Sequence, residues 1–212
     1  MSIFSLFAAA LTAAIISLAS VSLAPVRAVA QGTVADALPS VVSLLPGPGA
    51  RTTRRRAAGA GAGRGQVPEA SGIVVGPDGL IATAAHVVDA LGTVEVRLAD
   101  GRRLPARHLG SDAATDIALL QVGAPLPVIP FAPQVQVASP VCAIGNAYGL
   151  DLSVTCGVVS ARGVSHAGFN AVEDFIQTDA AANPGSSGGA LVDRSGRLVG
   201  MLSAIFAAGA DR

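Results

Sequence analysis

From residue 71 onward, short apolar runs alternate with turn signals. Residues 73–75 (Ile-Val-Val) and 80–83 (Leu-Ile-Ala-Thr) flank Gly76-Pro77-Asp78-Gly79, where Pro presets φ for a tight turn. Val94, Val96 and Leu98 alternate with Glu95 and Arg97, as a half-buried strand does, and Asp100-Gly101 turns that strand back. Further strands are predicted at residues 117–122, 141–144, 153–159, 175–178, 190–192 and 198–205. Residues 34–45 read as a lead-in followed by a strand. Beyond residue 30, helical periodicity is confined to one turn near residues 84–90. Many short strands with frequent turns predict an all-β sandwich or barrel, and no solenoid repeat is visible.

Two stretches break this pattern. Residues 46–68 combine Gly, Ala, Pro and Arg, including Arg54-Arg55-Arg56, with no periodicity. They are expected to form a flexible loop, read either as a solvated insertion or as a docking site for anionic lipid or a polyanion. Residues 2–26 carry no charge, and residues 3–23 are mostly Ala, Leu, Ile and Phe. Arg27 and then Ala28-Val29-Ala30 before Gln31 fit a signal-peptidase site. The same run approaches the ~20 residues of a membrane span, so residues 1–30 read as a signal peptide or as an N-terminal membrane anchor. Either reading exports residues 31–212, to the periplasm or beyond, with anchoring to the inner membrane on the second.

Composition narrows the picture. The 212 residues suffice for one sizeable domain or two small barrels. The net charge is zero, with every basic residue an Arg, so no broad attraction to nucleic acid is implied. Aromatic residues make up 3% of the chain, so the core must be built from Val, Ile, Leu and Ala. Cys142 and Cys156 lie on two predicted strands around a Gly- and Asn-containing loop. Paired antiparallel, they would face each other within bridging distance. They are either a disulfide, as export favours, or two small buried thiols.

Three segments carry candidate chemistry. His86 stands just past an apolar strand in Ala84-Ala85-His86-Val87-Val88. Asp116 leads directly into a buried-looking strand in Thr115-Asp116-Ile117-Ala118-Leu119, where a carboxylate is costly without a donor. The third is Asn183-Pro184-Gly185-Ser186-Ser187-Gly188-Gly189, a serine turn between glycines that lets the backbone approach another molecule closely. The amides of Gly185 and Ser187 can converge there on one point, as an oxyanion hole requires. Ser187 is preferred over Ser186 because the Gly-Gly step follows it immediately. The chain order His, Asp, Ser is one of the known orders of this triad.

These segments, with Ser71-Gly72-Ile73-Val74-Val75, Ile144-Gly145-Asn146, Val154-Thr155-Cys156-Gly157-Val158-Val159-Ser160 and Gln177-Thr178-Asp179-Ala180-Ala181, resemble the protease domain of the HtrA/Deg family of trypsin-like serine proteases. The likeness implies two antiparallel six-stranded β-barrels with the triad in the cleft between them. It implies Ser187 as nucleophile, His86 as general base and Asp116 as the residue holding His86, with polypeptides as substrates and no cofactor. The primary specificity pocket would be walled by Ala180, Ala181 and Ala182, together with Ser203. With no acid among the alanines, cleavage after small or apolar residues is expected.

The sequence departs from the family in two respects. No PDZ domain is expected after the protease domain, so peptide capture through such domains is not carried over, and a homotrimer built from the N-terminal segment stays open. The family's second barrel continues through a final strand after the region of residues 198–206, and this chain is expected to lack it. The leading expectation is an exported endopeptidase acting on unfolded or damaged proteins. The alternatives are a non-catalytic, chaperone-like peptide binder and an anchored protease making selective cuts. His108 and His166 show no ligand spacing, so no metal site is predicted.

Overall fold

A computed structural model describes residues 32–48 and 69–203. Residues 1–31, 49–68 and 204–212, which hold the export segment, most of the Arg-rich loop and the end of the last predicted strand, lie outside the described residues.

Six strands close into a first barrel. They are β1 (Val41–Pro46), β2 (Ala70–Gly76), β3 (Leu80–Ala84), β4 (Val94–Arg97), β5 (Arg103–Asp112) and β6 (Ile117–Val122), in the order β1-β2-β3-β6-β5-β4. A short helix, α1 (Val34–Ala37), and a 3₁₀ turn lead into β1, as the lead-in reading expected. The period-two pattern shows why the barrel closes. On β6 Ala118, Leu120 and Val122 are buried and Ile117 and Leu119 exposed; on β4 Val94 and Val96 face in while Glu95 and Arg97 face out. Val42, Leu44, Val74, Ile81, Val96, Leu120 and Val122 are fully buried in the barrel core. Each such side chain contributes about 1.5–3 kcal/mol through burial.

The second half is a five-stranded sheet among the described residues. It contains β7 (Pro140–Gly145), β8 (Ser153–Val164), β9 (Phe175–Thr178), β10 (Ala190–Asp193) and β11 (Leu198–Met201), ordered β11-β10-β7-β8-β9. The expected all-β, two-part architecture is therefore present, as one closed barrel and a curled sheet. Val41 and Ile73, neighbours across β1 and β2, pack with Ile144, Ala190, Val192 and Leu198. That apolar seam glues the barrel to the sheet and fixes the cleft above it.

Cys142 and Cys156 are directly opposite on β7 and β8 and are joined by a disulfide, with Cα atoms 4.0 Å apart. The predicted helical turn is α2 (Ala85–Leu91), which follows β3 without a break. One strand escaped the pattern: β5 carries Arg, His, Asp and Pro, and a bulge between His108 and Gly110 breaks its alternation.

Candidate active site

His86 is the second residue of α2, so the end of β3 delivers it to the cleft. Its Nδ1 lies 2.8 Å from Asp116 Oδ2 and 3.0 Å from Oδ1, and its main-chain N–H donates to Asp116 Oδ1 at 3.0 Å. The carbonyl of Asp116 accepts a bond from Ala85 N–H at 3.0 Å, so strand and helix are tied through both main chain and side chain. Asp116 adopts a positive φ of 59°, a conformation Asp tolerates better than bulkier residues, and this turns the carboxylate back toward the helix as β6 begins.

The two side chains sit in different surroundings. The imidazole of His86 is 53% exposed, whereas the Asp116 side chain is only 12% exposed. Burial alone would raise the pKa of Asp116. The Ser203 hydroxyl, donating to Oδ2 at 2.7 Å, and the two His86 donors outweigh it and hold the carboxyl below the ordinary range. A carboxylate held ionised in this way fixes the imidazole with Nε2 facing the cleft and stabilises an imidazolium when one forms.

The glycine-rich turn comes from the other half of the molecule. Gly188 N–H donates to Leu202 O at 2.6 Å and Leu202 N–H to Gly189 O at 2.8 Å, which sets Ser203 beside Asp116. A β-carbon on Gly188 would collide with Ser71 O and Thr83 Oγ1 and lie 3.2 Å from Ala84 N. The turn is thus pressed against the end of β3, two residues before His86. Ser187 O accepts a bond from Ser71 N–H at 3.0 Å. The Ser187 side chain is part-exposed, and its Oγ makes no hydrogen bond among the described residues, the His86–Asp116 pair included. Ser186 is turned inward, 6% exposed, with its hydroxyl 3.4 Å from Asn183 N.

The backbone of the turn is pinned through its carbonyls. Pro184 O accepts from Tyr148 N–H at 2.7 Å, and Ser186 O accepts from Gly189 N–H at 2.9 Å. In a trans peptide the N–H points opposite to the C=O, so these anchors aim the N–H groups of Gly185 and Ser187 away from their carbonyl partners. Neither N–H is engaged by a main-chain acceptor among the described residues. Gly185 takes φ 98°, and a β-carbon there would strike Asn146 O.

Beside His86 lies an open cleft of about 480 Å³, bordered by Asp89, Ala113, Asp116, Phe169, Asn170 and Ser203. Phe169 packs edge-on to Phe175 at 6.1 Å, and the loop carrying it is clipped to the Asp116 turn by Asn170 Nδ2 to Thr115 O and Val172 N–H to Ala114 O. The residues assigned to the specificity pocket divide. Ser203 borders this cleft and grips Asp116. Ala180 is a core residue, packed with Val141, Ala143, Val159 and Leu191; Ala181 is exposed, and Ala182 is part-buried. Sequence reasoning missed Asp89, Phe169 and Asn170. Asp89 was within reach, since it sits one turn beyond His86 on the same helix face; the other two carried no signal.

Comparison with known proteins agrees with this geometry. The family model of the trypsin-like peptidase domain matches residues 70–201. The chain is 43% identical over 138 residues to a probable periplasmic serine endoprotease, DegP-like, of Chlamydia pneumoniae, covering 64% of this chain and 28% of that protein. It is 44% identical over 142 residues to the periplasmic serine endoprotease DegP of Escherichia coli K12, covering 65% and 30%. The chain thus spans less than a third of the length of these curated relatives. Among solved structures, the HtrA-type protease AlgW with a tripeptide superposes with a TM-score of 0.68 at 35% identity, over 80% of this chain and 53% of that one. The serine endoprotease of Yersinia pestis gives a TM-score of 0.67 at 34% identity, over 82% and 56%. With barrel, sheet and His–Asp pair arranged as described, the chain belongs to the trypsin-like peptidase family, and its relatives are HtrA- and DegP-type proteases.

Proposed function

We propose that this chain is an exported, periplasmic serine endopeptidase that hydrolyses peptide bonds of unfolded or damaged proteins. The observation that carries the reading is the His86–Asp116 pair, buried on the carboxylate side and open on the imidazole side, with Ser203 holding the carboxylate. In the proposed reaction Ser187 Oγ attacks the scissile carbonyl as His86 Nε2 takes its proton. The negative charge that develops on the carbonyl oxygen is met by the N–H groups of Gly185 and Ser187. The imidazolium then gives its proton to the leaving amine, and a water molecule repeats the cycle to release the acyl group from Ser187. Asp116 stays ionised throughout.

The substrate preference follows from the wall before Ser187. Ala181 and Ala182, which reach the surface there, offer no charge, Ala180 is packed into the core, and the neighbouring Asp179 spends an oxygen on Val158 N–H at 2.7 Å. Small or apolar side chains are therefore favoured before the cut. The test is digestion of an unfolded protein, such as reduced casein, by the full chain, with cut sites mapped by mass spectrometry beside a Ser187→Ala control. Cuts after Ala, Val, Leu or Ile that vanish in the control support the reading. No cuts by a folded sample, or cuts that persist in the control, overturn it.

A further inference from the structure

The turn that holds the oxyanion donors has three successive peptide planes, and the middle one is gripped from the other half of the molecule. The outer planes are anchored locally, through Pro184 O and Ser186 O. In the middle plane, Gly185 O accepts a bond of 2.8 Å from the hydroxyl of Ser71, a residue of β2 in the first barrel. Ser71 is 0% exposed, and a β-carbon on Gly145 would lie 3.1 Å from its Oγ, so the hydroxyl sits in a closely packed interior site.

The direction of that hydroxyl is set rather than free. Asn146 N–H donates to Ser71 Oγ at 2.8 Å, so the Ser71 proton is left for Gly185 O. Asn146, itself 0% exposed, is held in turn: its Nδ2 donates to Glu69 Oε2 at 2.5 Å, and its Oδ1 accepts from Asp151 N–H at 3.0 Å. Arg97 Nη2 on β4 lies 3.4 Å from the same Glu69 oxygen. Gly185 is the hinge this chain controls, because a glycine at positive φ rotates with little steric resistance once its carbonyl is released.

We propose that Ser71 is a positioning residue for the oxyanion hole, through which the first barrel holds the Gly185–Ser186 peptide that links the two planes carrying the Gly185 and Ser187 N–H groups. The proposal rests on the peptidase reading above for its consequence in rate, though not for its structural content. Loss of the hydroxyl leaves the Asp116–His86 pair untouched, since no member of that pair contacts Ser71 Oγ. It leaves the Ser186 N–H bond to Asn183 O as the remaining hold on that peptide, so the Gly185 carbonyl can tilt and the two flanking planes that carry the donors lose their fixed relation. Donors aimed at charge that exists only in the transition state affect kcat rather than ground-state binding.

The test uses the full chain with Ser71→Ala and Ser71→Cys, the latter filling the site with a somewhat larger sulfur while weakening both hydrogen bonds. With a quenched peptide built on a mapped cut site, kcat is expected to fall about tenfold or more in Ser71→Ala and less in Ser71→Cys, with KM changed by under about twofold. An unchanged kcat in either folded variant, or a loss shared equally between kcat and KM, overturns the proposal. The crystal structure of Ser71→Cys, or of Ser71→Ala where it folds, needs no activity. It is expected to show the Gly185 carbonyl rotated from its place in the parent, and an unmoved turn overturns the proposal. Should the parent chain neither label nor cleave, the peptidase reading fails, while the position of the turn still decides the role of Ser71.

Discussion

The main-chain N–H of Tyr148 donates to the carbonyl of Pro184 at 2.7 Å, which turns the N–H of Gly185 to the opposite side of the peptide. Tyr148 reaches this position at φ 57°, and its hydroxyl also bonds Asn183 Oδ1 at 3.0 Å. The loop between β7 and β8 therefore sets the orientation of the proposed oxyanion donor.

Gly185→Ala is the sharpest probe of that contact. The added carbon meets Asn146 O while φ stays at 98°, so the turn must shift. The variant is expected to fold with a loss of about 1–3 kcal/mol and to lose about 100-fold or more in kcat. Thermal unfolding and steady-state kinetics on one peptide check both figures.

Asp116→Asn keeps the size of the side chain and removes its charge. The amide can present an N–H to Nδ1, forcing the tautomer that leaves Nε2 protonated and unable to act as a base. A loss of about 10³-fold or more in kcat is expected, with KM little changed. Ser203→Ala, which removes one of three donors on the carboxylate, should cost less, about tenfold. Equal losses in the two variants would contradict the roles assigned to them.

Stability should follow pH through Asp193 in a defined direction. Burial would raise its pKa, but Arg197, through its side chain and N–H, and Ser195 N–H outweigh that and lower it. A lowered carboxylate stabilises the fold fully above the unfolded value of about 3.9, and the gain is lost as pH falls through the lower folded value. The stability difference between the parent and Asp193→Asn is thus expected to be constant at neutral pH and to shrink below about pH 4. Denaturant titrations at several pH values read it directly.

The chemistry was more legible than its support. His86, Asp116 and Ser187 could be singled out as candidates because each stands in an unusual local sequence: a histidine after an apolar strand, an acid entering one, a serine among glycines; of these the structure pairs His86 with Asp116. The two cysteines were legible because strand pairing is a short-range geometric rule. Ser203 was assigned to the pocket, and its grip on Asp116 was hidden because the bond spans 87 positions that only the fold brings together. The Ser71 hydroxyl was hidden for the same reason, and β5 because exposed polar residues on both faces leave no period to read.

Cleaving the Cys142–Cys156 bond tests the hairpin that carries Asn146 and Tyr148. The bridge closes a loop with a sequence separation of 14. Its reduction is expected to cost about 3 kcal/mol, seen as a lower Tm in the presence of dithiothreitol. Because β7 and β8 flank the loop that anchors Pro184 and Gly185, activity should fall at temperatures where the reduced protein remains folded. A Cys142→Ala, Cys156→Ala pair that matched the parent in both Tm and kcat would contradict this account.

The most direct measurement is reaction of the full chain with a fluorophosphonate, followed by peptide mapping of the modified residue. The account predicts a single adduct on Ser187, lost in Ser187→Ala and strongly slowed in His86→Ala. A folded protein that gains no adduct, or one modified on Ser186 instead, would contradict it.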